Sequence, residues 1–579
     1  MSLLVYYDGE CPFCNRYVKL LRLKESAGDV SLIDLRESPQ QRQELIDQGF
    51  NLDLGMVVET DGRRVAGDDA VNMLAMLSTP STFLNRVNKA VFSSPLLATL
   101  LYPLLRAGRW LTLFILGLGQ IMPDDDGARA RATIFGTLFS LFSFYHFFNY
   151  ALEYMRFPPQ IDMIAIAICA VALFFRPASS RLLFLLMLVS SVSAIVQAPI
   201  TSNHTMVRNM VLLGYWVSFF YTMIRGLKWS DIFTNFAPAG QGALLVMYVF
   251  GIFHKINTGF LNPETSCAVA LWRQMPMPLN AIDIPAMHYL AIYGTFIVEG
   301  GIILMLFSRK LRHIGIVCGI LFHTLLAFSN YAMYISFTTL SIALHCLFLN
   351  EESARNIRDS KMMTAFTRRM RDPVYILAAA ILVALLFYVG MSRNYTLVTL
   401  MALPLIIPFC VNIIRHGSST KPLLAKGHRV TPLIIGTIVT TLFFLNCTMP
   451  YWGLKSAQTI NMFSNLRVEG GVNNHLIMKH ISAPFGYLDD VVTIEKAQGP
   501  QANITTELDQ HGMVYYDLLA HLSDNPNLVV TYTRDGKIYE NMSAAMLADD
   551  IQHTLHPAWF RKWFHFQRVN LKEPITCAY

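Results

Sequence analysis

Charge is scarce in this chain. Only 15% of its 579 residues are Asp, Glu, Lys or Arg, against about 25% in an average soluble protein. The net charge of +7 is modest, and the basic residues stand scattered between apolar stretches. That leaves no concentrated basic surface for a nucleic-acid partner and points to membrane topology instead. A secretory signal is missing as well: residues 1–7 form a short strand-like run that Asp8-Gly9-Glu10 interrupts at once. The N-terminus is therefore expected in the cytoplasm. Internal repeats and low-complexity segments are also lacking, which weighs against a transporter built from paired halves.

Hydrophobic residues make up 53% of the chain. They gather in runs of about 17–24 residues, the length that crosses a hydrocarbon core. Eleven spans are predicted, near residues 132–154, 161–175, 182–200, 206–224, 240–256, 287–307, 312–329, 331–349, 374–391, 396–413 and 431–448. With the N-terminus inside, the cytoplasmic loops hold Arg176 and Arg181, Arg225 and Lys228, then Arg309, Lys310 and Arg312. The next two hold Arg355, Arg358, Lys361, Arg368, Arg369 and Arg371, then Arg415, Lys421, Lys426 and Arg429. The opposite loops offer little beyond Arg156, Arg273 and Arg393. Such a bias sets orientation. The expected fold class is a polytopic α-helical membrane bundle with an N-terminal thioredoxin-like α/β domain and a small C-terminal α+β domain. The protein is expected to be integral and multi-pass in a bacterial inner membrane, in contact with membrane lipid, with the C-terminal domain extracytoplasmic.

Four regions follow: a thioredoxin-like domain at 1–80, interfacial helices at 81–130, the bundle at 131–448 and the outer domain at 449–579. In the first, residues 2–7 and 30–34 read as strands and 14–24 as an amphipathic helix. Residues 56–59 and 63–66 read as a hairpin about Asp61-Gly62, with a helix through residue 77. Residues 81–122 mix apolar runs with Pro95, Pro103, Arg106 and Arg109, a pattern that predicts a pair of amphipathic helices in the interface. In the last region, 475–480, 491–496, 528–533 and 537–540 read as strands, with Asp535-Gly536 turning the final pair. Residues 515–522 and 542–554 read as helices.

Tyr7-Asp8-Gly9-Glu10-Cys11-Pro12-Phe13-Cys14 places two cysteines between a strand and a helix. At a helix N-terminus the dipole and free N–H groups stabilise a thiolate. Cys11 is expected to attack and Cys14, three residues on, to resolve the mixed disulfide. The other reading, half of a zinc site, lacks a second CxxC or paired His within residues 1–80, so no metal is expected. These residues resemble the DCC family (DUF393) of thiol-disulfide oxidoreductases, whose motif is Asp-Gly-x-Cys-x-x-Cys. The resemblance covers roughly residues 3–120 and implies a cytoplasmic thiol partner. Thioredoxins place a cis-proline before the strand facing their CxxC; Gly55-Met56-Val57 offers none.

Ionisable groups inside spans are costly and are functional candidates by default. Three clusters qualify: His254 and Lys255 at the end of the fifth span, Glu299 in the sixth, and His323 with His345 in the next two. Lys255 has the alternative of snorkelling to the interface, and the two histidines of being neutral, hydrogen-bonded core residues. Residues 248–257, 294–309 and 322–349 resemble the HTTM domain, which is related to vitamin K-dependent γ-glutamyl carboxylase; the likeness covers roughly residues 131–480. It implies a quinone or quinol cofactor and a protein or peptide substrate. Lys255 stands where that family has the base that deprotonates the quinol, ahead of glutamate γ-proton removal and CO2 addition. The resemblance thus implies Lys255 and His323 as catalytic, and His254, Glu299 and His345 as cofactor-binding. The competing class is a non-enzymatic lipid or small-molecule transporter, or an assembly factor, with the thiol domain as a redox switch.

Cys169, Cys318, Cys346 and Cys410 fall within predicted spans and read as packing residues. Cys267, Cys447 and Cys577 fall outside, and one disulfide among these three is expected. Asn203-His204-Thr205 and Asn503-Ile504-Thr505 fit glycosylation sequons.

Overall fold

The protein is described by a computed structural model. It describes residues 2–20, 29–77, 86, 90, 92–153, 160–198, 202–329, 332–370, 372–391, 394–423, 430–478, 483–499, 512–569 and 577. The expected elements at residues 21–24, the Asn503 sequon, Arg156, Arg371, Arg393, Lys426 and Arg429 lie outside that set.

The N-terminal sheet has four strands, β1 (Ser2–Tyr7), β2 (Asp29–Asp34), β3 (Val57–Thr60) and β4 (Arg63–Ala66), in the order β2-β1-β3-β4. β1 and β2 run parallel, joined across the helix Pro12–Leu20, whereas β3 is antiparallel to β1 and forms a hairpin with β4. The hairpin turns on Asp61 (φ 47°) and Gly62 (φ 78°), the positive-φ pair of a tight two-residue turn. The sequence reading misses the helix Pro39–Asp47, whose proline at its start fixes φ for the first turn.

Residues 95–116 form one 22-residue helix, Pro95–Leu116. The rest of the expected interfacial pair falls mostly outside the described residues. One side of this helix sends Tyr102 and Leu113 into the core that holds the two cysteines, and the other sends Trp110 and Phe114 into the bundle core. Leu96, Leu100 and Leu104 form an outward apolar stripe, suited to an interfacial position. The sheet domain is thereby docked. Trp110 Nε1 donates to the Leu227 carbonyl (2.7 Å), Lys228 Nζ to the Pro123 carbonyl (2.7 Å), and the Trp229 amide to Gln120 Oε1 (2.7 Å).

A helix occupies each of the eleven segments predicted as spans. Among the described residues, five helices are long and apolar enough to cross a membrane: Ser180–Gln197, Ser230–Phe253, Pro285–Phe307, Tyr395–His416 and Val430–Trp452. Ile161–Phe175, Arg312–Ala327, Tyr334–Cys346 and Pro373–Leu386 are apolar but shorter. Ser230–Phe253 is the central element. Small residues let its neighbours approach closely: a Cβ at Gly242 would fall 1.7 Å from Thr440 Oγ1, and one at Gly240 2.3 Å from Leu347 Cδ1.

The C-terminal domain has a second sheet, ordered β6-β5-β7-β8, of β5 (Val491–Gln498), β6 (Gly512–Val514), β7 (Val529–Arg534) and β8 (Lys537–Ser543). The helix Tyr515–Asp524 packs Leu518, Leu519 and Leu522 against it. Asp535-Gly536 turns the last hairpin as expected. One expectation fails. Residues 475–478 form no strand but a single bridge, Asn257 to His475, because the His475 ring is turned to the Phe253 carbonyl (2.9 Å) at the bundle end. The helix expected from residue 542 begins at Ala548, since β8 runs on to Ser543.

Candidate functional site

The cysteines stand at the end of β1 and the start of the following helix. Gly9 lets Asp34 approach the turn: a Cβ on it would displace the Asp34 carboxylate, whose Oδ1 accepts from the Gly9 amide (3.0 Å). Asp8 is buried and held by two arginines, Arg36 Nε at 2.9 Å and Arg109 Nη2 at 2.7 Å. Arg109 comes from the 95–116 helix, and its other nitrogen reaches the Asp53 carbonyl. The buried Asp53 carboxylate in turn accepts from the amides of Ile121 (2.8 Å) and Met122 (3.2 Å), fixing the chain just beyond that helix. Tyr102 Oη closes the opposite side by donating to the Leu54 carbonyl (2.6 Å). Leu54 precedes Gly55, where a Cβ would fall 1.9 Å from that hydroxyl.

Both cysteines are buried, Cys11 at 0% exposure and Cys14 at 8%. The Cys14 amide donates to Cys11 Sγ (3.4 Å). The Cys11 thiol is lowered to about 6, chiefly by the hydrogen bond from the Cys14 thiol, with help from the Arg109 cation and the Cys14 amide, against burial. Cys14 moves up, because its proton is held in the bond to Cys11 and its own burial disfavours charge. The two sulfurs therefore differ in the sense that an attacking and a resolving cysteine require.

The second site is a cavity of about 120 Å³ inside the bundle, lined by Lys255, Glu299, His323, Tyr248 and a wall of apolar side chains including Phe260, Tyr334 and Phe463. Lys255, two residues past the central helix, donates to Glu299 Oε1 at 2.7 Å. It does not snorkel; the pair is mostly buried, at 12% and 9% side-chain exposure. Glu299 Oε2 and His323 Nδ1 are buried without a hydrogen-bond partner among the described residues. Tyr248 Oη lies 3.0 Å from both His323 Nε2 and His345 Nε2. His345 is thus behind the cavity wall. His254 faces elsewhere, bonded to Tyr451 Oη (2.7 Å) and the Thr459 carbonyl (2.9 Å). The structure brings Lys255, Glu299 and His323 to one space and leaves His254 and His345 outside it.

The sequence reading missed Tyr248, the arginine pair on Asp8, and the loop that closes the cavity. In that loop Gln458, Ile460, Phe463 and Asn465 all have φ between 55° and 64°, a conformation that costs energy for any residue but glycine. Ile460 and Phe463 line the cavity. Cys267, at the start of the short helix Cys267–Arg273, a source of cavity-lining residues, is bonded to Cys577 (2.07 Å). Cys447 is free and buried. Non-reducing peptide mapping is expected to recover a Cys267–Cys577 linked pair, and Cys577→Ser to cost about 2–5 kcal/mol in unfolding experiments; two unlinked peptides would exclude the bridge.

A family model described as DCC1-like thiol-disulfide oxidoreductase matches residues 5–113. That stretch runs past residue 80 to take in nearly all of the helix that carries Tyr102 and Arg109. No curated protein and no solved structure matches the chain.

Proposed function

We propose that the protein is a membrane-embedded thiol-disulfide oxidoreductase. The observation that carries this is the geometry of the pair: Cys11 stands just before the helix Pro12–Leu20, its Sγ accepts from the Cys14 amide at 3.4 Å, and the buried Asp8–Arg109 ion pair lies beside it. The Cys11 thiolate attacks a disulfide of a thiol partner. A Cys11–partner bond forms, and the partner's other sulfur leaves as a thiolate and takes up a proton. Cys14 then gives up its proton and attacks Cys11 Sγ, releasing the partner's second sulfur as a thiol. The pair is left as a disulfide, and two electrons have passed to the partner. The test is the pH dependence of iodoacetamide labelling at Cys11 in the reduced protein. Half-maximal labelling is expected near pH 6; a midpoint in the ordinary thiol range, about 8.5, would refute the assignment.

A second reading, favoured by the cavity, is that the bundle holds a small ring of the quinone or quinol class. A space of about 150 Å³ takes up benzene, and this cavity of about 120 Å³ is of the size of a single small ring. Lys255, paired to Glu299, is the group placed to exchange a proton with such a ring, and the likeness to the γ-carboxylase segments supports that role. A peptide substrate would belong to that carboxylase-like chemistry. The transporter or assembly-factor alternative is separated by mass spectrometry of small molecules extracted from the purified protein. A co-purifying quinone supports the enzyme; lipid alone supports transport or scaffolding.

A further inference from the structure

A chain of hydrogen bonds runs behind the cavity wall, and the Ser341 carbonyl sets the proton positions along it. His345 Nδ1 lies 2.7 Å from the Ser341 carbonyl oxygen and, more loosely, 3.2 Å from Ser341 Oγ. A carbonyl only accepts, so the His345 proton is on Nδ1, and Nε2 of the neutral ring only accepts. Tyr248 Oη, 3.0 Å away, therefore donates to that Nε2. With its proton so committed, Tyr248 accepts from His323 Nε2, also at 3.0 Å. The His323 proton is thus held on Nε2. Phe337 packs edge-on to the ring at 5.0 Å and limits its rotation. His323 Nδ1 is left as a bare lone pair, buried and unpartnered on a residue that lines the cavity. Glu299 Oε2 is a second bare acceptor on the same space.

We infer that His323 Nδ1 touches the cavity ligand as a hydrogen-bond acceptor, and that Tyr248 and His345 are positioning residues that fix its tautomer. The inference rests on the ring-ligand reading above and adds its second anchor: the occupant carries an O–H or N–H donor on its ring. A buried acceptor left empty is costly, and an occupant with donors removes that cost twice, at His323 and at Glu299.

The test uses the full-length reduced protein in nanodiscs without oxygen, with duroquinol and duroquinone as probes. They share a skeleton and differ in hydroxyl donors. Duroquinol is expected to bind about tenfold more tightly, the worth of a buried hydrogen bond gained against an acceptor facing an acceptor. Tyr248→Phe removes one oxygen and frees the ring to exchange tautomers; the preference is expected to fall, because the Nδ1–H form can donate to a duroquinone carbonyl, while Glu299 Oε2 keeps part of it. Histidine ¹⁵N spectra of the wild type give a readout independent of any ligand, and His323 is expected to carry its proton on Nε2. A proton on Nδ1, or a full preference retained in Tyr248→Phe, overturns the positioning role. Failure of both probes to bind while Nε2 is protonated overturns the ring-ligand reading, and His323 as its anchor falls with it.

Discussion

Replacing Arg109 by methionine is expected to move the labelling midpoint of Cys11 clearly above pH 6 and to destabilise the thiol domain by about 3 kcal/mol. Two effects combine. The Arg109 cation favours the ionised forms of both sulfurs, so without it less Cys11 is thiolate at any given pH. The bond from Cys14 remains, so the midpoint does not reach that of a free thiol. Asp8, meanwhile, loses a partner at 2.7 Å with its side chain at 2% exposure. Removing one member of a buried ion pair costs about 3–5 kcal/mol, and Arg36 at 2.9 Å keeps the loss at the lower end. The pH sense follows from the direction of the shift. Cys11 is lowered in the fold, so it stabilises the reduced domain above the ordinary thiol range, and that contribution is lost as pH falls through about 6. The variant is expected to show a weaker rise in stability over that interval. Iodoacetamide rate profiles and chemical unfolding check both halves. A midpoint unmoved from pH 6 would show that the Cys14 bond alone sets the thiolate.

The parts of this site differ in how they are written in the chain. Asp8-Gly9-Glu10-Cys11 is contiguous, so strand, turn and helix start are all legible from one segment, and β1 and the helix Pro12–Leu20 fall where that segment puts them. Arg109 is 101 residues from Asp8. Its only local sign is a charge inside an apolar helix, which reads equally well as an interfacial residue. The bundle repeats the lesson. Lys255, Glu299 and His323 each betray themselves as polar groups in apolar runs, yet nothing local says that Lys255 and Glu299 meet. Nor does it say that His254, one residue from Lys255, turns to Tyr451 instead. The helix ends at Phe253, and in the turn that follows successive side chains leave the backbone in different directions. Tyr248 is hidden more completely, since a tyrosine in a buried helix reads as packing until its two histidine partners are seen. The left-handed residues at 458–465 have no glycine to announce them; only tertiary contacts hold them there.

Lys255→Met is expected to destabilise the bundle by about 3–5 kcal/mol, because it leaves the Glu299 carboxylate buried with neither oxygen partnered. Adding Glu299→Gln removes the orphaned charge, and the double variant is expected to recover most of that loss. A buried ion pair contributes little net stability over neutral groups of similar shape, so recovery of this kind separates folding from function. If the pair exists to act on a ligand, the double variant folds like the wild type yet loses the proton-exchanging amine, and quinol turnover is expected to disappear with it. Thermal unfolding of the four proteins in the cycle, each compared in oxidation of duroquinol with dioxygen supplied as the electron acceptor, tests the two claims apart. A Lys255→Met that unfolds like the wild type would mean that the pair is not the buried contact seen at 2.7 Å. A double variant that still turns over quinol would leave the pair a structural clamp between the central helix and its neighbour. The chemistry of the cavity would then have to be sought at its histidines, first at His323, whose Nδ1 is unpartnered among the described residues, and then at His204.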